Sequence, residues 1–385
     1  MLALRLIPGS HPLVLLPRLL VAAASAGTGF LLLCALAYAL SHPGSPGESL
    51  LRLAWCAVPL AATVNLAVAV ARTGPGTRAR SGLLAAGLGP VGIAMLTATT
   101  TALSCALGST TALLVALHLR GDITGLPFDG AGAGILAGGR PLPLPATLTL
   151  LALVPAVASA ATAHALRPRD TGPARASGPA ADAPAAVPAG LPWGAALTAA
   201  GLAFETYATR NGTAGAGLEA LRGGSAWVPA GWALAALGLA VAGPGLTHAC
   251  GRLLSAVRPG PVRLLAGRAL QQEARRIGRP LGVLCAVTTV ALAASDLHST
   301  ASAAPPGPPT ALGVALVLGC TAATLLTAAA ETRLARTATT DALLRIGTPA
   351  AVLRGAAALR AAVLLMLFGP LTWAVAHLTA LPMTR

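Results

Sequence analysis

Long apolar runs separated by short polar segments dominate the pattern of hydrophobic and polar residues along this chain. Nine of the runs approach the ~20 residues that an α-helix needs to cross a bilayer. The segments between them are rich in arginine, proline and glycine, which is typical of loops. The pattern therefore predicts an all-α, polytopic transmembrane helix bundle with spans at 19–40, 51–71, 91–119, 144–166, 191–209, 226–250, 281–299, 310–330 and 356–380.

The composition agrees with a membrane protein and argues against other classes. Hydrophobic residues make up 55% of the 385 residues and charged residues 10%, which is more apolar than the core of a soluble domain requires. The net charge of +15 is accompanied by only 3% aromatic residues, whereas nucleic-acid surfaces combine basic side chains with rings for stacking. We therefore predict no nucleic-acid partner. Six cysteines without a CxxC pair indicate neither a disulfide framework nor a zinc site.

The arginines predict the orientation, since the chain contains no lysine. Cytoplasmic segments of membrane proteins carry an excess of basic residues. If the amino terminus is cytoplasmic, all but six of the 26 arginines fall in cytoplasmic segments. The exceptions are Arg52, Arg120, Arg140, Arg210, Arg222 and Arg385. We predict a multi-pass protein of the plasma membrane with its amino terminus in the cytoplasm.

Two predicted cytoplasmic segments differ in character. Residues 167–190 are rich in proline, alanine and glycine without a periodic apolar face, which is typical of a linker. Residues 251–280 instead interleave leucine, alanine and isoleucine with arginine at helical spacing. That pattern predicts an amphipathic helix at the inner membrane surface that leads into the seventh span.

Short matches at nearly one offset indicate an internal repeat. Residues 83–87 align with 343–347, residues 116–119 with 375–378, and Arg18 with Arg279. We predict two copies of one module in the same orientation, at 1–166 and 281–385, flanking a central pair of spans at 191–250. The second copy would lack its fourth span, because the chain stops at Arg385.

Two stretches near the carboxyl end, Glu331–Arg336 and Asp341–Arg354, resemble a known family. Their charged exit from a span, the Leu-Leu-Arg-Ile-Gly turn and the basic entry into the next span are similar to the FtsX-like, MacB-type permeases of ABC transporters. The resemblance is to the ten-span form, in which two four-span modules flank a central pair. It implies a membrane subunit without ATPase activity, driven by a separate ATP-binding subunit in two copies, and export of a hydrophobic or amphipathic substrate.

The chain has no GxxxxGK[ST] sequence that would hold nucleotide phosphates, so the resemblance assigns ATP to the partner subunit. It also assigns contact with that ATPase to short cytoplasmic helices in 77–89 and 333–354. An ordinary interfacial loop with leucines among the headgroups is the alternative. The candidate coupling residues are Asp341, Leu343, Leu344, Arg345 and Gly347 in the second copy, and Arg80, Leu83, Leu84 and Gly87 in the first.

Polar residues within spans are the other candidates, because they are costly in a bilayer and often mark substrate paths. Glu205 could carry protons, pair with Arg210, or meet interfacial water. Asn65 is expected to bond between helices, or back to its own helix, rather than to bind a ligand. No set of side chains predicts a catalytic or metal site, so we expect no enzyme activity on this chain. A non-transporting sensor or regulatory subunit, a degenerate permease and a proton-coupled carrier are the alternative functions.

Overall fold

The computed structural model describes residues 12–73, 89–123, 127, 130–167, 190–210, 227–256, 260–300, 307–347 and 349–384. Helices account for most of them, and no strand occurs in this part of the chain. The helices are α1 (Pro12–Ser41), α2 (Pro46–Trp55), α3 (Ala57–Arg72), α4 (Pro90–Arg120), α5 (Leu144–Leu166), α6 (Gly190–Arg210), α7 (Trp227–Ala256), α8 (Pro261–Thr300), α9 (Pro308–Ala335), α10 (Thr337–Arg345) and α11 (Ala350–Thr384).

Eight stretches of the described residues are long and apolar enough to cross a membrane. They correspond to eight of the nine predicted spans, and this confirms the all-α polytopic bundle. The one predicted span without a counterpart, at 191–209, forms helix α6 but is not among the eight. Its glycines, Thr206, Tyr207 and the ionisable Glu205 lower its hydropathy, so that α6 is not apolar enough to be counted with them.

Two of the differences between the predicted segments and the structure change the number of helices. The second span contains a break at Cys56, which separates α2 from α3. The amphipathic segment and the seventh span, predicted as separate elements, form the single 40-residue helix α8. Pro280 lies inside α8 without ending it. Close packing of α7 along both halves of α8 explains the continuity, because tertiary contacts override a local helix breaker.

The chain divides into two compact units. Unit 1 comprises Met1–Ala174 and Pro306–Thr327, and unit 2 comprises Arg175–Pro305 and Ala328–Arg385. The division groups residues by spatial proximity and is not a measure of internal repetition. The two-copy organisation of the sequence therefore stays a prediction.

A seam of buried hydroxyl groups holds the helices of unit 1 together. Ser25 Oγ of α1 donates to the Cys105 carbonyl of α4 at 2.8 Å. Thr28 Oγ1 lies 2.8 Å from Thr63 Oγ1 of α3, and both side chains are fully buried. Close approach of α4 requires Gly108, because a Cβ at this position would lie 2.8 Å from the Ser25 Cβ. Such hydroxyl and small-residue contacts are the usual stabilising elements between helices in an apolar medium.

Glycines set the spacing of α6, α7 and α8 in unit 2. A Cβ on Gly194 of α6 would lie 2.5 Å from the Ala242 nitrogen of α7. A Cβ on Gly278 of α8 would lie 2.6 Å from the Pro244 Cα. Thr247 Oγ1 of α7 is close enough to the Ala274 carbonyl of α8, at 3.2 Å, to donate to it. The three helices therefore pack backbone against backbone along this glycine seam.

Helix α11 completes unit 2 by packing against α7 and α8. Its Phe368 is buried in an apolar cluster with Leu239, Cys285 and Ala286. Near the far end of α8, the Thr289 hydroxyl donates to the Thr372 carbonyl of α11 at 3.5 Å. These contacts hold the second half of α11 against α7 and α8.

Candidate functional site

The predicted coupling segment of the second copy lies between the two long helices α9 and α11. The short helix α10 occupies Thr337–Arg345, which includes Asp341, Leu344 and Arg345. Gly347 follows with φ of +91°, in the left-handed region that glycine favours. Gly347 therefore ends the helix, as the sequence predicts, by a conformation that most other residues would adopt only with strain.

The surface of this segment combines exposed aliphatic and charged side chains. Leu344 is 45% exposed and Ile346 is 82% exposed. Asp341 and Arg345 are exposed beside them. Arg345 lies in the last turn of α10, where its positive charge interacts favourably with the helix dipole. The segment thus presents a small apolar surface with charge on its flanks, which suits a protein contact.

An ion-pair cluster centred on Glu273 fastens this segment to the rest of unit 2. Glu273 Oε1 of α8 lies 2.6 Å from Nε of Arg336, the residue that separates α9 from α10. Glu273 Oε2 lies 3.7 Å from Nη1 of Arg360 on α11. The Arg336 guanidinium also donates to the Ala269 carbonyl at 3.4 Å. One carboxylate therefore joins α8 to Arg336 at the start of the α10 segment (residues 336–347) and to α11, the helix that follows this segment.

Burial makes this cluster more than a surface ion pair. The Glu273 side chain is 12% exposed, and those of Arg336 and Arg360 are 29% and 23% exposed. Solvent-exposed ion pairs contribute little to folding stability. A carboxylate removed from water instead needs its partners to offset the free energy lost by desolvation. Neutralising Glu273 would leave two arginines close together with no shared counter-ion.

Sequence reasoning did not select Glu273 as a site residue, although a signal was present. Glu273 is the only acidic residue in the arginine-rich segment 251–280. A lone carboxylate among many cations is a candidate for a bridging position. Its partners Arg336 and Arg360 are distant in sequence, so the spacing of charges could not identify them.

Several predicted coupling residues are not placed by the structure. Arg80, Leu83, Leu84 and Gly87 of the first copy lie outside the described residues. The backbone of Leu343 belongs to α10, but its side chain is also outside the described part. The structure therefore bears on the coupling segment of the second copy only.

The two intramembrane candidates have different surroundings. Glu205 of α6 is fully buried in unit 2, where a Cβ on Gly231 of α7 would lie 2.8 Å from its Cγ. Asn65 of α3 is exposed. Its neighbour Leu66 is buried instead, because α3 turns that face toward the other helices of unit 1.

The described residues contain neither a metal-binding group nor a disulfide. No group of three or more histidine, cysteine or acidic side chains lies close enough there to hold an ion. All six cysteines are free thiols, and five of them are buried. Their surroundings are apolar or hydroxyl-lined helix contacts.

Comparison with known proteins identifies no relative of this chain. No protein-family model, no curated protein and no solved structure matches the chain. What the sequence and the structure establish together is that this chain is a multi-pass, all-α membrane protein.

Proposed function

We propose that this protein is the membrane-spanning permease subunit of an ABC transporter. In this proposal a separate ATP-binding subunit hydrolyses ATP. It binds the α10 segment, and its movement displaces the helices of the permease. The transported molecule would be hydrophobic or amphipathic and would be exported. The observation that carries the proposal is a short exposed helix between two long apolar helices, joined by the Glu273 ion-pair cluster to two further elements of its unit.

Mechanical coupling requires a segment that is both accessible and rigidly connected. Leu344 and Ile346 supply accessible apolar surface on the α10 segment. Glu273 ties that segment to α8 and α11. Displacement of α10 by a partner would therefore pass directly into two apolar helices, since packed helices transmit strain.

Replacing Leu344 by aspartate is expected to uncouple the partner ATPase. An added charge on the apolar surface would cost on the order of 2 kcal/mol of binding, as at a protein-interface hot spot. The measurement is co-purification of the chain with any ATP-binding-cassette subunit that an adjacent reading frame encodes, followed by ATPase rates in nanodiscs. Leu344→Asp should lower the apparent affinity about 30-fold, while Ile346→Asp should act in the same direction.

Thr337→Asp provides the matched control, because it adds the same charge to the same helix. Thr337 is exposed at the start of α10, where a negative charge is favourable to the helix dipole. Equal loss in Thr337→Asp and Leu344→Asp would point to charge alone and contradict an apolar coupling surface. If no ATP-binding-cassette subunit associates with the intact chain, a sensor or regulatory subunit becomes the better explanation.

We further propose that α6 crosses the membrane as a ninth span and that the amino terminus is cytoplasmic. A ninth crossing keeps Arg72 and the arginines of 252–279 on one side, which is the distribution expected of cytoplasmic segments. The glycine-lined packing of α6 along α7 supports the same arrangement. It also agrees with the low charge of α6 between Gly190 and Phe204.

Single cysteines labelled by a membrane-impermeant maleimide test this orientation. Ser177→Cys and Ala342→Cys should react from the cytoplasmic face and Gly134→Cys from the outer face. Five of the six native cysteines are buried, so their background reaction is expected to be slow. Labelling of positions 177 and 342 from opposite faces would contradict the ninth crossing.

A further inference from the structure

One face of α8 carries three arginines immediately before the helix becomes apolar. Arg275, Arg276 and Arg279, here called the arginine stripe, are all exposed. Their spacing of three and four residues places them together on one side of the helix. The same face continues toward the apolar half of α8 as the partly exposed valines Val283, Val287 and Val290.

The stripe lacks a protein counter-ion among the described residues. The three ion pairs found there involve Arg120, Arg336 and Arg360. Glu273, the acidic residue nearest to the stripe in sequence, already binds Arg336 and Arg360. Like charges three or four residues apart on a helix repel one another and destabilise it. An external anion would relieve that repulsion.

Contacts between α7 and α8 place the stripe at the edge of the apolar layer. Thr247 Oγ1 of α7 contacts the Ala274 carbonyl, and Gly278 packs against Pro244. The stripe is therefore level with residues 244–247 of α7, which are uncharged. The first charged residue of α7 beyond them, Arg252, lies about 7.5 Å further along the helix axis.

Arginine side chains at this depth extend toward the headgroup layer while their aliphatic stems cover apolar surface. The guanidinium group binds phosphate through two parallel hydrogen bonds. A soluble acidic protein could not reach this depth without entering the headgroup layer, whereas phospholipid headgroups already occupy it.

We propose that the arginine stripe is a binding site for the phosphate groups of anionic phospholipids in the surrounding leaflet. The site does not depend on the proposed transport function, because it needs only the membrane-embedded chain. Each arginine near an anionic surface contributes about fivefold in affinity, so three contribute about 100-fold.

The test is a titration of short-chain phosphatidylglycerol into the purified full-length protein in neutral detergent, followed by the thermal unfolding midpoint. The unaltered chain should be stabilised by phosphatidylglycerol but not by phosphatidylcholine of the same chain length. The variant R275Q/R276Q/R279Q should need about 100-fold more phosphatidylglycerol for the same stabilisation. Helical circular dichroism without lipid checks that the variant is folded, and Arg275→Gln alone, about fivefold weaker, serves if the triple variant is not.

A triple variant in unit 1, R18Q/R72Q/R167Q, removes the same charge from three separate helix ends. Those arginines are also exposed and lie in predicted cytoplasmic segments, but on three different helices, so they do not form one cluster. This variant should therefore weaken phosphatidylglycerol binding much less than R275Q/R276Q/R279Q does. Equal loss in both variants, or undiminished binding by R275Q/R276Q/R279Q, would overturn the site. Stabilisation by inorganic phosphate at the same concentrations would overturn a lipid as its occupant.

Discussion

Replacing Gly238 by alanine is expected to lower the free energy of unfolding of unit 2 by about 2–3 kcal/mol, although alanine is the better helix former. A Cβ at Gly238 of α7 would lie 2.5 Å from both the nitrogen and the Oγ1 of Thr198 on α6. The Gly194 carbonyl would lie 2.7 Å away. Because two of these atoms belong to backbone, α6 has to move away from α7 and lose part of the glycine seam.

The measurement is thermal unfolding in detergent, compared with the same substitution at Gly369. Gly369 lies within α11 of the same unit, and a Cβ there would meet no atom within 4 Å. At Gly369 only helix propensity changes, so Gly369→Ala should keep or slightly raise the unfolding midpoint. Equal effects of the two substitutions would show that backbone contact between α6 and α7 is not what limits stability.

Replacing Glu273 by glutamine is expected to release the α10 segment from α8 and α11. Glutamine preserves the size of the side chain but removes the charge that balances Arg336 and Arg360. The cluster is mostly buried rather than fully buried. The expected destabilisation is therefore about 2 kcal/mol, below the 3–5 kcal/mol of a fully buried pair. Hydrogen exchange of the amides in 337–347 should accelerate more than exchange in the core of unit 2.

Double-mutant cycles measure separately the two ion pairs that Glu273 makes with Arg336 and Arg360. Coupling between Glu273→Ala and Arg336→Ala should exceed coupling between Glu273→Ala and Arg360→Ala, since the first pair is at 2.6 Å and the second at 3.7 Å. Glu331→Gln is the control for net charge, because Glu331 belongs to none of the ion pairs of the described residues. Zero coupling in both cycles would remove the cluster as the anchor of α10.

The glycine seam and the Glu273 cluster were predicted from the sequence to different degrees. Abundant glycine in apolar runs indicates close helix packing in general. It does not distinguish Gly238, which meets a facing backbone, from Gly369, which meets nothing. Hydropathy treats the two positions alike, because the distinction depends on which face of each helix meets a neighbour.

The candidate site was also predicted from the sequence only in part. The Leu-Leu-Arg-Ile-Gly turn predicted a short helix ended by Gly347, and the structure has that helix and that left-handed glycine. Local sequence suffices for this, because a helix end is decided by residues adjacent in the chain. Nothing local could connect Glu273 with Arg336 and Arg360.

The amino-acid sequence by itself determined the membrane class, the helical content and the approximate place of each apolar helix. It could do so because insertion into a bilayer depends on the length and hydropathy of a contiguous run. Only the tertiary structure decided that α8 is continuous through Pro280 and that one carboxylate joins three elements. Both features arise from contacts between residues far apart in the chain, whose geometry no local pattern specifies.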